Sequence, residues 1–218
     1  MQLLRYGLKL GRIDHICITH LHGDHYFGLP GLLTAWHLTG RTKPLHLYAP
    51  AGLEELLQLI FSHSGGPMGY PLVFHQTSPH QVHEWEIEGQ LLLKSLPIAH
   101  RIPTTGFLFS TLLEEKKASY AYISDTVYLP ELARNLYGVD LLYHEATFTE
   151  ELEHKAIATG HSTARQAALI AQASNASQLL IGHFSARYKD TFEHLEEAVA
   201  VFSATSVAEE GRCYRVRD

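Results

Sequence analysis

Six residues near the start of the chain constrain it more than any others: His20-Leu21-His22-Gly23-Asp24-His25. They follow Asp14-His15-Ile16-Cys17-Ile18-Thr19, a short apolar run that reads as a buried strand, and they precede Tyr26 to Leu33, which reads as the start of a helix. The cluster therefore sits on a strand-to-helix turn with a rigid support behind it. His20 and His22 are two apart, so an extended backbone points both to one side. Gly23 lets the chain bend sharply, and Asp24 and His25 can then turn toward a second ion. Imidazole and carboxylate are the donors a catalytic zinc takes when it keeps one position open for water. A chain with 16 histidines will crowd some by chance. Strand, ligands and helix in this order are more specific than a polar surface turn.

Strand ends further on carry the same donor types. Leu96-Pro97-Ile98-Ala99-His100 ends on a histidine, Tyr122-Ile123-Ser124-Asp125-Thr126 on a carboxylate, and Leu180-Ile181-Gly182-His183-Phe184 on a histidine. Each alone is what a satisfied turn residue looks like. Together with the first cluster they point to one end of an α/β layer, where ligands collect.

The remaining pattern alternates strands and helices. Residues 1–13 read as a short helix or turn. Leu45 to Tyr48 is a strand, and Pro50-Ala51-Gly52 opens a helix with Leu53, Leu56, Leu57, Ile60 and Phe61 at helical spacing. Four strands are expected within 72–113. Beyond Tyr120 come strands at 121–123, 139–143 and 179–181, and helices at 130–136, 163–174 and 191–202. A closing strand is expected at Cys213 to Val216. Thr163-Ala164-Arg165-Gln166 has the form of a capping box. Strands flanked by helices imply a layered α/β arrangement, and 218 residues without a linker or repeat imply a single domain, 1–218.

Composition excludes several classes. No apolar run approaches the roughly 20 residues that span a bilayer, so no membrane is expected. Met1 to Tyr6 has no signal-peptide pattern. Cys17 and Cys213 lie far apart and outside the histidine cluster, as reduced thiols of a cytoplasmic protein would. A net charge of −6 argues against a generic nucleic-acid binder with a basic face. It does not argue against an RNA enzyme, because bound divalent ions add positive charge where the phosphate sits.

The string His-x-His-x-Asp-His resembles the metal-binding motif of the metallo-β-lactamase superfamily, and His20 through Gly31 resembles the ribonuclease Z family within it. The resemblance extends over nearly the whole chain. His100-Arg101-Ile102-Pro103 is similar to that family's single-histidine motif and Ser124-Asp125-Thr126 to its bridging aspartate. His144-Glu145-Ala146-Thr147-Phe148 and His161-Ser162-Thr163 are similar to its paired Glu and His motifs. His183-Phe184-Ser185-Ala186-Arg187-Tyr188 is similar to its last ligand and phosphate-contacting turn. The resemblance implies an αββα sandwich and a zinc-dependent endoribonuclease that removes the 3′ trailer of tRNA precursors. It implies one ion on His20, His22, His100 and Asp125, and a second on Asp24, His25, His183 and Asp125. The cofactor is thus two Zn2+, with Mn2+ or another divalent ion as substitutes. Asp24 would orient the attacking water, His161 held by Glu145 would be the acid, and Ser185 and Arg187 would contact a phosphate. A homodimer is also implied.

Two stretches depart from the family pattern. Nothing matches the strand pair and glycine-rich loop that usually precede residues like Met1-Gln2-Leu3-Leu4-Arg5, so the fold is expected without its usual N-terminal strands. Between His100 and Asp125, where the family carries a long tRNA-gripping arm, residues 109–119 suffice only for a hairpin tip. The competing expectations are a hydrolase of small phosphodiesters, favoured by the missing arm, and a truncated non-catalytic homologue, disfavoured by the intact ligands.

Overall fold

The strand before the metal turn is short, and what supports it is a small parallel sheet. The structure, a computed structural model describing residues 2–113 and 117–217, divides into two compact units, Met1–Ser78 and Pro79–Asp218. In the first, β1 (His15–Cys17), β2 (Leu45–Ala49) and β3 (Leu72–Gln76) lie parallel in that order. After the short α1 (Gln2–Arg5), helices α2 (Gly23–Tyr26) and α3 (Gly28–Leu38) follow the ligand turn, and α4 (Leu53–Ser62) follows β2. Leu29, Leu33 and Trp36 of α3 and Leu53, Leu57 and Phe61 of α4 close on Leu45 and Leu47. The apolar spacing in both helices has period 3.6, which is why one stripe of each is buried.

Three histidines that the sequence left without a role occupy successive strands of this sheet. His15 stacks on His46 at 4.7 Å, His46 on His75 at 5.2 Å, and His75 on Tyr48 at 4.4 Å. His46 Nδ1 and His75 Nε2 are 2.9 Å apart. The in-register parallel pairing of His15 with His46 aligns the first two rings.

In the second unit, seven strands run in the order β10-β9-β8-β7-β6-β5-β4. β4 (His83–Ile87), β5 (Leu91–Ile98), β6 (Thr104–Thr111) and β7 (Ser119–Ile123) form an antiparallel meander. β7, β8 (Leu141–Glu145), β9 (Gln178–Gly182) and β10 (Thr205–Val207) are parallel. The hairpin tip expected at 109–119 includes residues 114–116, which lie outside the described residues. Helices α5 (Leu132–Asn135), α7 (Ala164–Ala173) and α8 (Phe192–Val201) pack on this sheet through Leu132, Leu136, Ala164, Ala167, Ala168, Ile170, Ala171 and Ala198. Alanine along α7 lets it approach the strands closely. Its capping box is formed: Thr163 Oγ1 accepts from the Gln166 amide, and Gln166 Oε1 accepts from the Thr163 amide.

Two elements differ from expectation. Residues 213–216 are not a strand; the closing strand is Thr205–Val207, paired in parallel with Leu179–Ile181. The crossover through α8 delivers the chain to the sheet edge at 205, and the tail then folds back, Tyr214 donating its hydroxyl to the Val207 carbonyl. Helix α6 (Glu153–Thr159) was unanticipated, because only Ala156 of it is buried and no apolar period marks it.

Candidate active site

In the first unit the ligand turn is built as its spacing requires. His20, fully buried, has Nδ1 3.1 Å from Thr19 Oγ1 and Nε2 3.0 Å from His22 Nδ1. The rings of His20 and His25 lie 4.0 Å apart, and His25 Nε2 is 3.3 Å from Asp24 Oδ2. Asp24 is exposed. A Cβ at Gly23 would fall 2.3 Å from the exposed Phe27 ring, which would have to swing aside. Two ring nitrogens at 3.0 Å must share either a proton or an ion. For two zinc ligands with Zn–N near 2.0–2.1 Å, that separation needs little adjustment. The donor set fits a divalent metal.

In the second unit, strand ends bring His100, Asp125 and His183 together. His183 Nε2 is 3.4 Å from Asp125 Oδ1 and His100 Nε2 is 3.8 Å from Asp125 Oδ2. Ligand atoms of Asp125, His161 and His183 all lie within 4.8 Å of one another. The other nitrogen of each ligand is committed. His100 Nδ1 donates to the Gly160 carbonyl at 2.7 Å, and His183 Nδ1 donates to Thr147 Oγ1 at 2.9 Å. Each Nε2 lone pair is thereby left facing Asp125, the tautomer a metal-ligating histidine needs. Gly160 has φ +78° and permits the approach of His100, whose Nδ1 would sit 2.8 Å from a Cβ. His183 itself has φ +61°, a left-handed conformation that costs a non-glycine residue energy and recurs at functional sites.

Glu145, fully buried, anchors the second layer. Its Oε1 accepts from the amides of Thr126 and Ser162, both at 3.0 Å, and from His161 Nδ1 at 2.9 Å. Its Oε2 accepts from the Thr147 amide and hydroxyl at 3.0 and 2.7 Å. Burial opposes charge on His161, but the hydrogen bond and charge of Glu145, with Asp125 adding, outweigh it. The His161 pKa is raised above the ordinary value despite Arg101.

Sequence reasoning passed over Thr147. Its single hydroxyl touches Glu145 and His183, so it links the Glu145–His161 pair to His183. It stands inside the quoted motif string 144–148, which was its only signal. His144 faces away from the Glu145 carboxylate, as strand alternation demands, and its Nδ1 donates to the Glu145 carbonyl. Ser185 and Arg187 lie on the turn after His183. The Ser185 amide donates to the Thr147 carbonyl at 3.1 Å, and the exposed Arg187 guanidinium lies 5.1 Å from the Phe148 ring.

A histidine turn with metal-type donors and a histidine–aspartate cluster at strand ends define a class. The beta-lactamase superfamily domain matches residues 3–184, and the fold is the metallo-β-lactamase fold. Ribonuclease Z of Bacteroides fragilis is 38% identical over 258 aligned residues, covering 98% of this chain and 85% of that protein. Ribonuclease Z of Bacteroides thetaiotaomicron is 36% identical, covering 100% and 83%. The crystal structure of human tRNase Z, short form, superposes with a TM-score of 0.81 at 29% identity, covering 99% of this chain and 84% of that one. The chain belongs to the ribonuclease Z family of the metallo-β-lactamase superfamily. The alignment with the B. fragilis protein spans 258 positions against a chain of 218 residues, so that relative carries residues inside the matched region that this chain lacks. Among the described residues, no helix is long and apolar enough to cross a membrane.

Proposed function

We propose that this chain is a zinc-dependent endoribonuclease that removes the 3′ trailer of tRNA precursors, with residues 1–218 acting as one catalytic domain. The observation that carries the reading is the pairing of part-buried His161 with fully buried Glu145 beside Asp125 and His183, a proton donor fixed next to a metal-type donor set. The ligand sets are those the family motifs imply: His20, His22, His100 and Asp125 for one ion, and Asp24, His25, His183 and Asp125 for the other. When bound, two zinc ions supply a nucleophilic water at neutral pH and neutralise developing phosphate charge. Asp24 orients that water. His161, charged through Glu145, gives its proton to the departing ribose 3′ oxygen. Thr147 keeps His183 in its ligating tautomer. Ser185 and Arg187 hold a neighbouring phosphate, the arginine through its planar fork.

A homodimer is the assembly we propose, in the cytoplasm, where tRNA precursors are made; Phe27, 72% exposed beside the ligand turn, is a ring a second copy would cover. The second reading, a hydrolase of small phosphodiesters, is favoured by one observation, the internal shortfall against the B. fragilis relative. Remote binding energy positions a scissile bond, and a short hairpin offers little of it to a folded RNA. One zinc-loaded preparation assayed on pre-tRNA and on bis(p-nitrophenyl) phosphate separates the readings. Specific cleavage at the 3′ side of the tRNA body, with a high KM, supports the first. Turnover of the small diester with no specific RNA product supports the second.

A further inference from the structure

The turn carrying Ser185 and Arg187 is braced by a residue that no motif singled out. His194, on α8, is fully buried, and neither of its ring nitrogens has a hydrogen-bond partner. It is wedged between the two aromatic rings that bracket the turn. The Phe184 ring lies 4.9 Å away at an interplanar angle of 70°, and the Tyr188 ring 4.4 Å away at 81°. Tyr188 is itself tied down, its hydroxyl 3.1 Å from the Thr149 amide and 3.0 Å from Thr149 Oγ1. The Tyr188 amide closes the turn on the Ser185 carbonyl at 3.1 Å.

An unpartnered imidazole is an expensive filler. A buried polar atom without a partner destabilises the fold, and a phenyl ring fills similar space without that cost. What the imidazole adds is an N–H edge beside two near-perpendicular aromatic rings. The turn itself is tied to the Thr147 main chain, whose carbonyl accepts from the Ser185 amide. Thr147 is also the residue that orients His183. His194 therefore braces the turn through the two rings that bracket it, Phe184 and Tyr188.

We propose that His194 is a positioning residue: locked between Phe184 and Tyr188, it sets the depth at which Ser185 and Arg187 meet a substrate phosphate. The inference rests on the phosphate-contacting role given to that turn above. Because it touches neither substrate nor metal ligand, its effect falls on binding rather than on chemistry.

The test compares H194F, H194Q, R187A and R187A/H194F on the zinc-loaded full chain, with pre-tRNA and with bis(p-nitrophenyl) phosphate. H194F is expected to raise KM for pre-tRNA about tenfold with a much smaller change in kcat. Its melting temperature should equal or exceed wild type, since the unpartnered nitrogens are gone. H194Q, which restores an N–H donor, should recover part of the loss. The double variant should bind no more weakly than R187A, because His194 acts through the turn. Should H194F melt below wild type, H194L takes its place in the same comparison. An unchanged KM in H194F, or KM increases that multiply in the double variant, overturns the proposal. If R187A raises KM and H194F does not, His194 alone is wrong. If R187A leaves KM unchanged, the phosphate role of the turn falls, and this inference with it.

Discussion

Replacing Glu145 by glutamine changes one atom and should disable both the acid and its scaffold. Glu145 is fully buried and accepts from Thr126, Ser162 and His161 through Oε1, and from the amide and hydroxyl of Thr147 through Oε2. A glutamine with its carbonyl at the Oε1 position keeps three acceptor contacts but loses their charge assistance, about 1 kcal/mol each. Its amide nitrogen then faces the Thr147 N–H, donor to donor, leaving a buried donor unsatisfied at about 1–3 kcal/mol. The Thr147 hydroxyl can rotate to accept, which offsets part of this. The sum, about 3–5 kcal/mol, matches what removing one partner of a buried charged pair costs. For a chain of this size it lowers Tm by roughly 6–20 °C. The same change removes what holds the His161 pKa up, while burial, which lowers it, remains. Calorimetry on metal-free protein reads the first effect, and NMR titration of the His161 ring reads the second. E145Q should melt well below wild type, with His161 deprotonating at lower pH. A variant that melts within about 2 °C of wild type, or in which His161 titrates as before, would refute the account of Glu145 as anchor and charge partner.

The other predictions concern chemistry, metal, packing and pH. H161A should retain its metal and lose roughly 10²–10⁴-fold on a diester with a poor leaving group but far less on a p-nitrophenyl ester, whose departure needs no proton; equal losses would remove His161 from the acid role. Elemental analysis should find two zinc ions per wild-type chain, with D125A losing both; wild-type protein purified with added zinc and holding none would contradict the ligand assignment. G160A should lower Tm and weaken metal affinity together, because φ +78° strains alanine and its Cβ would press on His100; an unaffected variant would show that the turn relaxes freely. Burial holds the pKa values of His144 and His194 below the ordinary 6.5. The unfolded chain therefore takes up these protons first. The stability they confer is present above about pH 6.5 and is lost below it, by at most about 1.4 kcal/mol per pH unit per histidine. Urea midpoints from pH 7.5 to 5.5 should fall accordingly, with a shallower slope in H194F; an unchanged slope would mean His194 is not held neutral.

Local pattern was enough to place most of this chain. The ligand turn 20–25 and the capping box at 163–166 depend on neighbours a few residues away; the two-residue spacing of His20 and His22 brings their rings together, and the capping box forms as its residues predict. Strand ends at His100, Asp125 and His183 were legible because an apolar run stopping at a polar donor is a short-range signal. The rest depended on contacts distant in sequence. Residues 205–207 rather than 213–216 close the sheet because the crossover through α8 fixes where the chain reaches the edge. The tautomers of His100 and His183 are decided by a carbonyl 60 residues away and a hydroxyl 36 residues away. Thr147 is marked only by its place in the motif string 144–148, and His194 carries no local mark at all. A threonine beside a glutamate and a histidine on an amphipathic helix are ordinary in sequence. Only packing takes the water from His194 and leaves its nitrogens unpartnered, and only the strand-end turns bring His183 to the Thr147 hydroxyl.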